Sequence, residues 1–259
     1  MRPRLLVVLA HPDDESIACG GTLARCADAG IHATLVCVTR GHAGELRADL
    51  GITRETLPGV RESELRAAAD VLGVHDVVVL EHRDGLLPWR PAAPLVADIE
   101  RLFLHVRPDV VITFGEDGLY WHPDHVFVAD RTTDVVRAHA ADRPCTLYGV
   151  TLAKGAVRGL VDEVRAGREG IVDAVWGVEP NAYGIKANAP TVSVDVRSVI
   201  GRKLRALHCH RSQLPPSNAL AWLTEAQAAH WLGTEFFHVV EGSPGTSSVL
   251  DGLAAAPTA

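Results

Sequence analysis

Four short, continuously apolar runs constrain the fold of this chain more than any other feature. Residues 4–9, 33–38, 77–80 and 110–114 are rich in Val, Leu and Ile, with no regular polar alternation. A strand with one wet face alternates. A strand that stays apolar throughout is covered on both faces, as in a parallel sheet flanked by helices. Between the runs lie stretches of helical spacing: 16–29 stopped by Gly30, 60–72 (Leu65, Ala68, Ala69, Leu72) stopped by Gly73, 95–106 closed by Pro108, and 124–139. Residues 39–59, rich in Gly, Thr and charge, read as a long loop. The expected fold is α/β: a single Rossmann-like domain, its sheet mostly parallel with helices on both faces, plus an elaborated C-terminal region.

Beyond Cys145 the pattern loosens. Strands are expected over 146–152, 191–196 and 235–240, and helices near 157–165 and over 198–208 and 224–232. The domain is therefore drawn over 1–241, with a core of 1–152 and a variable part of 153–241. Residues 242–259, small, polar and Pro/Gly-bearing, are expected to form a flexible tail. With 47% hydrophobic residues the chain has ample material for a core. Its 25 basic and 32 acidic residues leave a net charge of −7, which argues against nucleic acid or a membrane surface as partner. No apolar run reaches the ~18 residues of a membrane span. The basic opening runs into His-Pro-Asp-Asp-Glu too soon for a secretory signal. Five scattered cysteines without a C-x-x-C pair read as reduced thiols, and the expected location is cytoplasmic. A homo-oligomer is left open.

Two motifs carry the chemistry. His11-Pro12-Asp13-Asp14-Glu15 follows the first strand, and His122-Pro123-Asp124-His125 lies between the fourth strand and the next helix. In a doubly wound sheet of order 3-2-1-4, strands one and four are neighbours, and the crevice at their carboxyl ends is where such sheets bind ligands. Two imidazoles and a carboxylate with an open fourth position make a catalytic zinc arrangement. His11, Asp14 and His125 are the candidate ligands, with Zn2+ expected and Fe2+ as another choice. Asp13 is left beside the metal to take a proton from water, and His122, preferably protonated, to act on a bound carbonyl. The plainer alternative is that Asp13 or Asp14 caps the first helix and Pro123 and Asp124 merely start another. Capping explains the aspartates but not three histidines at one mouth. A dinucleotide site is rejected, because Gly-x-Gly-x-x-Gly is missing after the first strand and Gly20-Gly21 comes too late.

At these residues the sequence resembles the LmbE/PIG-L-like family of zinc-dependent N-acetylglucosamine deacetylases. The family's opening Ala-His-Pro-Asp-Asp-Glu stands here as Ala10 to Glu15, and its His-x-Asp-His as residues 122–125. Weaker echoes are Thr39-Arg40-Gly41 with Gly44-Glu45, Arg61-x-x-Glu64, and 207–213, Leu-His-Cys-His-Arg-Ser-Gln. The resemblance implies that His11, Asp14 and His125 bind the metal, that Asp13 is the general base, and that His122 acts on the carbonyl or the departing amine. It further implies that Tyr120 helps polarise the amide and that Arg61 and Asp84 grip the sugar. A solvated Arg61–Glu64 helix pair is the competing explanation for Arg61. His210 reads as a structural hydrogen-bonding residue, and Trp89, Trp121 and Trp222 as either sugar-stacking or core residues. The expected reaction is removal of the acetyl group from an N-acetylated amino sugar, a small-molecule substrate. The rivals are an amidase acting on a thiol-cofactor conjugate and a metal- or sugar-binding protein without turnover.

Overall fold

The computed structural model describes residues 3–184 and 192–242. Seven strands lie in one sheet: β1 (Arg4–Leu9), β2 (His32–Thr39), β3 (Asp76–His82), β4 (Val110–Phe114), β5 (Thr146–Thr151), β6 (Val192–Asp195) and β7 (Thr234–Glu241). Their order is β3-β2-β1-β4-β5-β7-β6. The five strands from β3 to β5 are parallel, while β7 runs antiparallel to both β5 and β6. The helices are α1 (Asp14–Ala18), α2 (Gly20–Asp28), α3 (Leu57–Leu72), α4 (Ala92–Val106), α5 (Gly118–Trp121), α6 (Pro123–His139), α7 (Ala156–Gly167), α8 (Ile200–Leu207) and α9 (Glu225–Trp231).

The apolar runs of β1, β2 and β4 are buried as their sequence requires, whereas in β3, at the sheet edge, only Leu80 is buried and Val77 to Val79 are half-buried. Leu5 to Val7 in β1 and Val111 and Ile112 in β4 expose no surface. The chain winds outward from β1 to β3 and then returns to β4 and β5. Right-handed crossovers therefore place α2 and α3 on one face of the sheet and α4 and α6 on the other. The winding reverses between β1 and β4, leaving a crevice at their carboxyl ends.

Several boundaries differ from the sequence expectation. The helix expected over 16–29 is broken at Cys19, whose φ is −147°. The break lets Gly20 and Gly21 restart the chain as α2. There Gly21 passes so close to Val196 that a Cβ would stand 2.4 Å from its side chain. Helix α3 begins at Leu57 and α4 at Ala92, earlier than expected. Pro58 and Pro94 are tolerated because a first turn has no use for their missing N–H. Within the expected loop 39–59, residues Ala48–Leu50 form a short 3₁₀ turn. The expected strand start at residue 191, the 185–190 part of the insertion and the 243–259 part of the expected tail lie outside the described residues.

Candidate active site

The register of β1 against β4, with Leu5 opposite Val110 and Val7 opposite Ile112, brings the segment after Leu9 beside the one after Phe114. Both segments take backbone conformations that L residues avoid. Asp13 has φ +128°, and Leu119 and Trp121 have φ +68° and +64°. Each such residue costs of order 1–3 kcal/mol and persists only where its surroundings hold it. Here Glu15 Oε2 accepts from Asp13 N at 3.1 Å, and Glu15 Oε1 is fixed by His210 Nε2 and Ser16 Oγ. Asp117 Oδ1 accepts from Leu119 N at 3.1 Å.

These strained turns bring three donors together. His11 Nδ1 lies 3.0 Å from His125 Nε2, and Asp14 lies 3.5 Å from the first nitrogen and 3.2 Å from the second. Donor atoms on a tetrahedral zinc ion, with bonds of about 2.0–2.1 Å, stand about 3.3–3.4 Å apart. The far nitrogens are already committed. His11 Nε2 faces Asp84 Oδ1 at 3.1 Å and Asp124 Oδ2 at 3.4 Å. His125 Nδ1 faces the Gly118 carbonyl at 3.0 Å, and the His125 ring lies flat on Phe114. Acceptors behind both rings take an N–H from each imidazole, so in the neutral, metal-binding form the two near nitrogens present lone pairs toward each other and toward the Asp14 carboxylate. Positive charge at the centre of such a cluster relieves it, whether a proton on His11 or an ion, and the donor set fits a divalent metal. The same field acts on His11. Burial alone would lower its pKa, but the carboxylates of Asp124, Asp14 and Asp84 hold it well above the usual range.

Other nearby groups also converge. The ring nitrogens of His11, His122 and His125 come within 4.8 Å of one another, as do His11 and the carboxylates of Asp84 and Asp124. The second set is occupied otherwise. Asp84 accepts from Ala43 N at 2.7 Å, and Asp124 from Gly85 N and Leu87 N at 2.7 and 3.1 Å. These carboxylates orient His11 from behind.

Asp13 stands beside the cluster, held by Arg61. The guanidinium donates to Asp13 Oδ2 at 2.9 Å, to the Pro12 carbonyl at 2.6 Å and to the Gly41 carbonyl at 2.9 Å. Burial pushes the Asp13 carboxyl up to about 6, Arg61 opposes the rise, and Asp14 adds to it. Arg61 is only 4% exposed, so it is no solvated helix pair with Glu64. Glu64 instead accepts from both the backbone and the hydroxyl of Ser212. Gly41 and Gly44 are required because a Cβ at either would stand within 2.6 Å of the Arg61 guanidinium.

His122 differs from its expected charge state. Burial, and then the neighbouring His125 and His11, lower its pKa to about 4, so it is neutral near pH 7. Its Nδ1 accepts from Asp124 N at 3.2 Å as the cap of α6, which leaves the N–H on Nε2. Tyr120 packs edge-on to both His122 and His125, and burial raises its hydroxyl well above the usual range.

The structure thus gathers His11, Asp13, Asp14, Arg61, Asp84, Tyr120 and His122 around one cavity of about 290 Å³. His125 lies under its floor, 1% exposed. Sequence reasoning passed over Asp124 as a helix starter, although its place between two histidines is itself a signal. It also passed over Trp176, which lines the cavity, whereas Trp89, Trp121 and Trp222 do not. Trp222 instead carries the Arg168 guanidinium 3.5 Å above its ring.

The family model described as "PIG-L: GlcNAc-PI de-N-acetylase" matches residues 6–136, just over half of the chain. The chain belongs to the PIG-L family. A relative from Geodermatophilus obscurus, named 1D-myo-inositol 2-acetamido-2-deoxy-alpha-D-glucopyranoside deacetylase, is 32% identical over 94% of this PIG-L chain and 94% of its own. Among solved structures, an N,N'-diacetylchitobiose deacetylase from Pyrococcus horikoshii matches with a TM-score of 0.61 and 23% identity, over 92% of this chain and 83% of that one. A 4-carboxy-2-hydroxymuconate hydratase from Pseudomonas putida matches with a TM-score of 0.65 and 18% identity, over 94% and 98% of the two chains. Deacetylase and hydratase share the architecture, so fold alone does not select the chemistry. No helix among the described residues is long and apolar enough to cross a membrane.

Proposed function

We propose that this chain is a metal-dependent deacetylase that removes the acetyl group from an N-acetylglucosamine-type amino sugar, with His11, Asp14 and His125 holding the metal. One observation carries the reading: two imidazole nitrogens and a carboxylate converge within 3.0–3.5 Å beside the Arg61-held Asp13. The names of the relatives support the amino-sugar substrate, and an inositol-linked N-acetylglucosamine is the first compound to test. Two imidazoles with one carboxylate favour zinc, with ferrous iron as the second choice. The ion would supply Lewis acidity toward the acetyl carbonyl and make water a stronger acid.

The chain's own groups divide the remaining work. Asp13 accepts a proton from the attacking water, a role suited to a carboxyl raised to about 6. His122 as a neutral imidazole turns its Nε2–H toward the oxyanion that develops on the carbonyl, and Tyr120 offers its hydroxyl from the same wall. The carbon–nitrogen bond then breaks, and Asp13 returns the proton to the leaving amine. Arg61 holds Asp13, and Asp84 and Asp124 hold His11, so Arg61 and Asp84 serve the catalytic groups before any sugar. The five cysteines are unpaired, which supports a reducing, cytoplasmic setting.

The test is acetate release from a panel of N-acetylglucosamine glycosides, with zinc removed by a chelator and then restored. Metal-dependent acetate release is expected. Absence of acetate from every glycoside with zinc bound would refute the reading.

A further inference from the structure

The insertion between β5 and β6 reaches into the catalytic cavity. Trp176 and Gly177, with φ +49° and +75°, form a two-residue turn closed by reciprocal 2.9 Å hydrogen bonds between Val175 and Val178. Positive φ at both central residues gives a tight turn that matches the twist of paired strands. Its tip places Trp176 and Val178 in the cavity wall. Three contacts tie this turn to the catalytic one. Tyr183 Oη donates to the Val175 carbonyl at 2.9 Å, the Tyr183 ring packs 4.8 Å from Tyr120, and Gly184 N donates to the Leu119 carbonyl at 3.1 Å. Tyr183 is 2% exposed, so the insertion is docked rather than draped.

The chemistry of the cavity is lopsided. Charged and amide side chains (Asp13, Asp14, Glu45, Arg61, Asp84, Gln213) make up much of its lining, while Trp176 and Val178 bring apolar surface. A pyranose is lopsided in the same way, with hydroxyls around its edge and C–H bonds on its faces. The Trp176 indole N–H is enclosed and meets no acceptor among the described residues.

We propose that Trp176 is a specificity-determining residue: its ring, presented by the Val175–Val178 turn, takes the C–H face of the sugar and so selects an N-acetylated pyranoside over an open-chain N-acetyl amine. This deepens the reading above and rests on it.

The test uses the zinc-loaded full chain with methyl N-acetyl-glucosaminide. Trp176→Leu keeps an apolar side chain but removes the π face, and should raise KM about five- to tenfold while kcat stays within about twofold. Trp176→Phe should return KM to within about twofold of the parent. In parallel, titration with the glycoside should quench tryptophan fluorescence in the parent and leave Trp176→Phe unquenched. An unchanged KM in Trp176→Leu, or equal quenching in both proteins, overturns the proposal. A parent that releases no acetate instead refutes the deacetylase reading, and the fluorescence comparison still decides whether Trp176 meets the sugar.

Discussion

Asp13 combines a disfavoured backbone with a carboxyl that burial pushes up to about 6 and Arg61 pulls back. A residue held this way has its position fixed before substrate arrives, which is what proton transfer needs. Asp13→Asn keeps the shape and removes the base. It should lower kcat by about 10²–10⁴-fold with zinc content unchanged, as steady-state kinetics and metal analysis on one sample would show. Full turnover in a metal-loaded Asp13→Asn protein would remove Asp13 from the mechanism. At this scale the sequence was informative where residue types are rare in combination, as with three histidines and paired aspartates in two short motifs. It was uninformative about partners: nothing in the spacing of Arg61 and Glu64 tells that one turns to Asp13 and the other to Ser212. Nor could spacing tell that His122, expected as a cation, sits among two other imidazoles and is neutral.

At the scale of elements, the strands were legible and the helix boundaries were not. An apolar run buried on both faces has one solution, whereas the end of a helix depends on what packs beside it. The break at Cys19 shows this, since the restart at Gly20 and Gly21 depends on Val196 crowding Gly21 and on Glu235 accepting from Gly21 N and Thr22 N, both from the far end of the chain. Gly21→Ala would force a Cβ to 2.4 Å from Val196 and should destabilise the chain by about 1–3 kcal/mol. Gly59 in α3 has open space around it and a helical backbone, so Gly59→Ala should stabilise by about 0.5–1 kcal/mol. Urea unfolding of the two variants under identical conditions checks both signs. Stabilisation by Gly21→Ala would show that the packing at Gly21 had been misread, and destabilisation by Gly59→Ala would show the same of Gly59.

Across the whole molecule, the variable part of the chain is joined to the core at one buried carboxylate. Glu235, 3% exposed on β7, accepts from Gly21 N and Thr22 N at 2.8 Å each, capping α2, while Lys203 Nζ on α8 lies 2.6 Å from its carboxylate. Three stretches far apart in sequence thus meet at one carboxylate, and for that reason we propose residues 1–241 as one folding unit. Glu235→Ala leaves Lys203 buried without its partner and should cost about 3–5 kcal/mol, measured by denaturant unfolding. A loss below about 1 kcal/mol would mean that the two parts are only loosely joined. No pattern in the sequence announces this link, because a Lys and a Glu 32 residues apart look like any two surface charges. The catalytic site obeys the same logic, existing only because the ends of β1 and β4 lie side by side. Its most direct test is zinc content per chain after equilibration with zinc and removal of loosely bound ion. The account predicts about one ion per chain in the parent and in His122→Ala, and loss of the ion in His11→Ala, Asp14→Ala and His125→Ala. An ion that survives Asp14→Ala but not His122→Ala would contradict it, as would a parent chain that binds none.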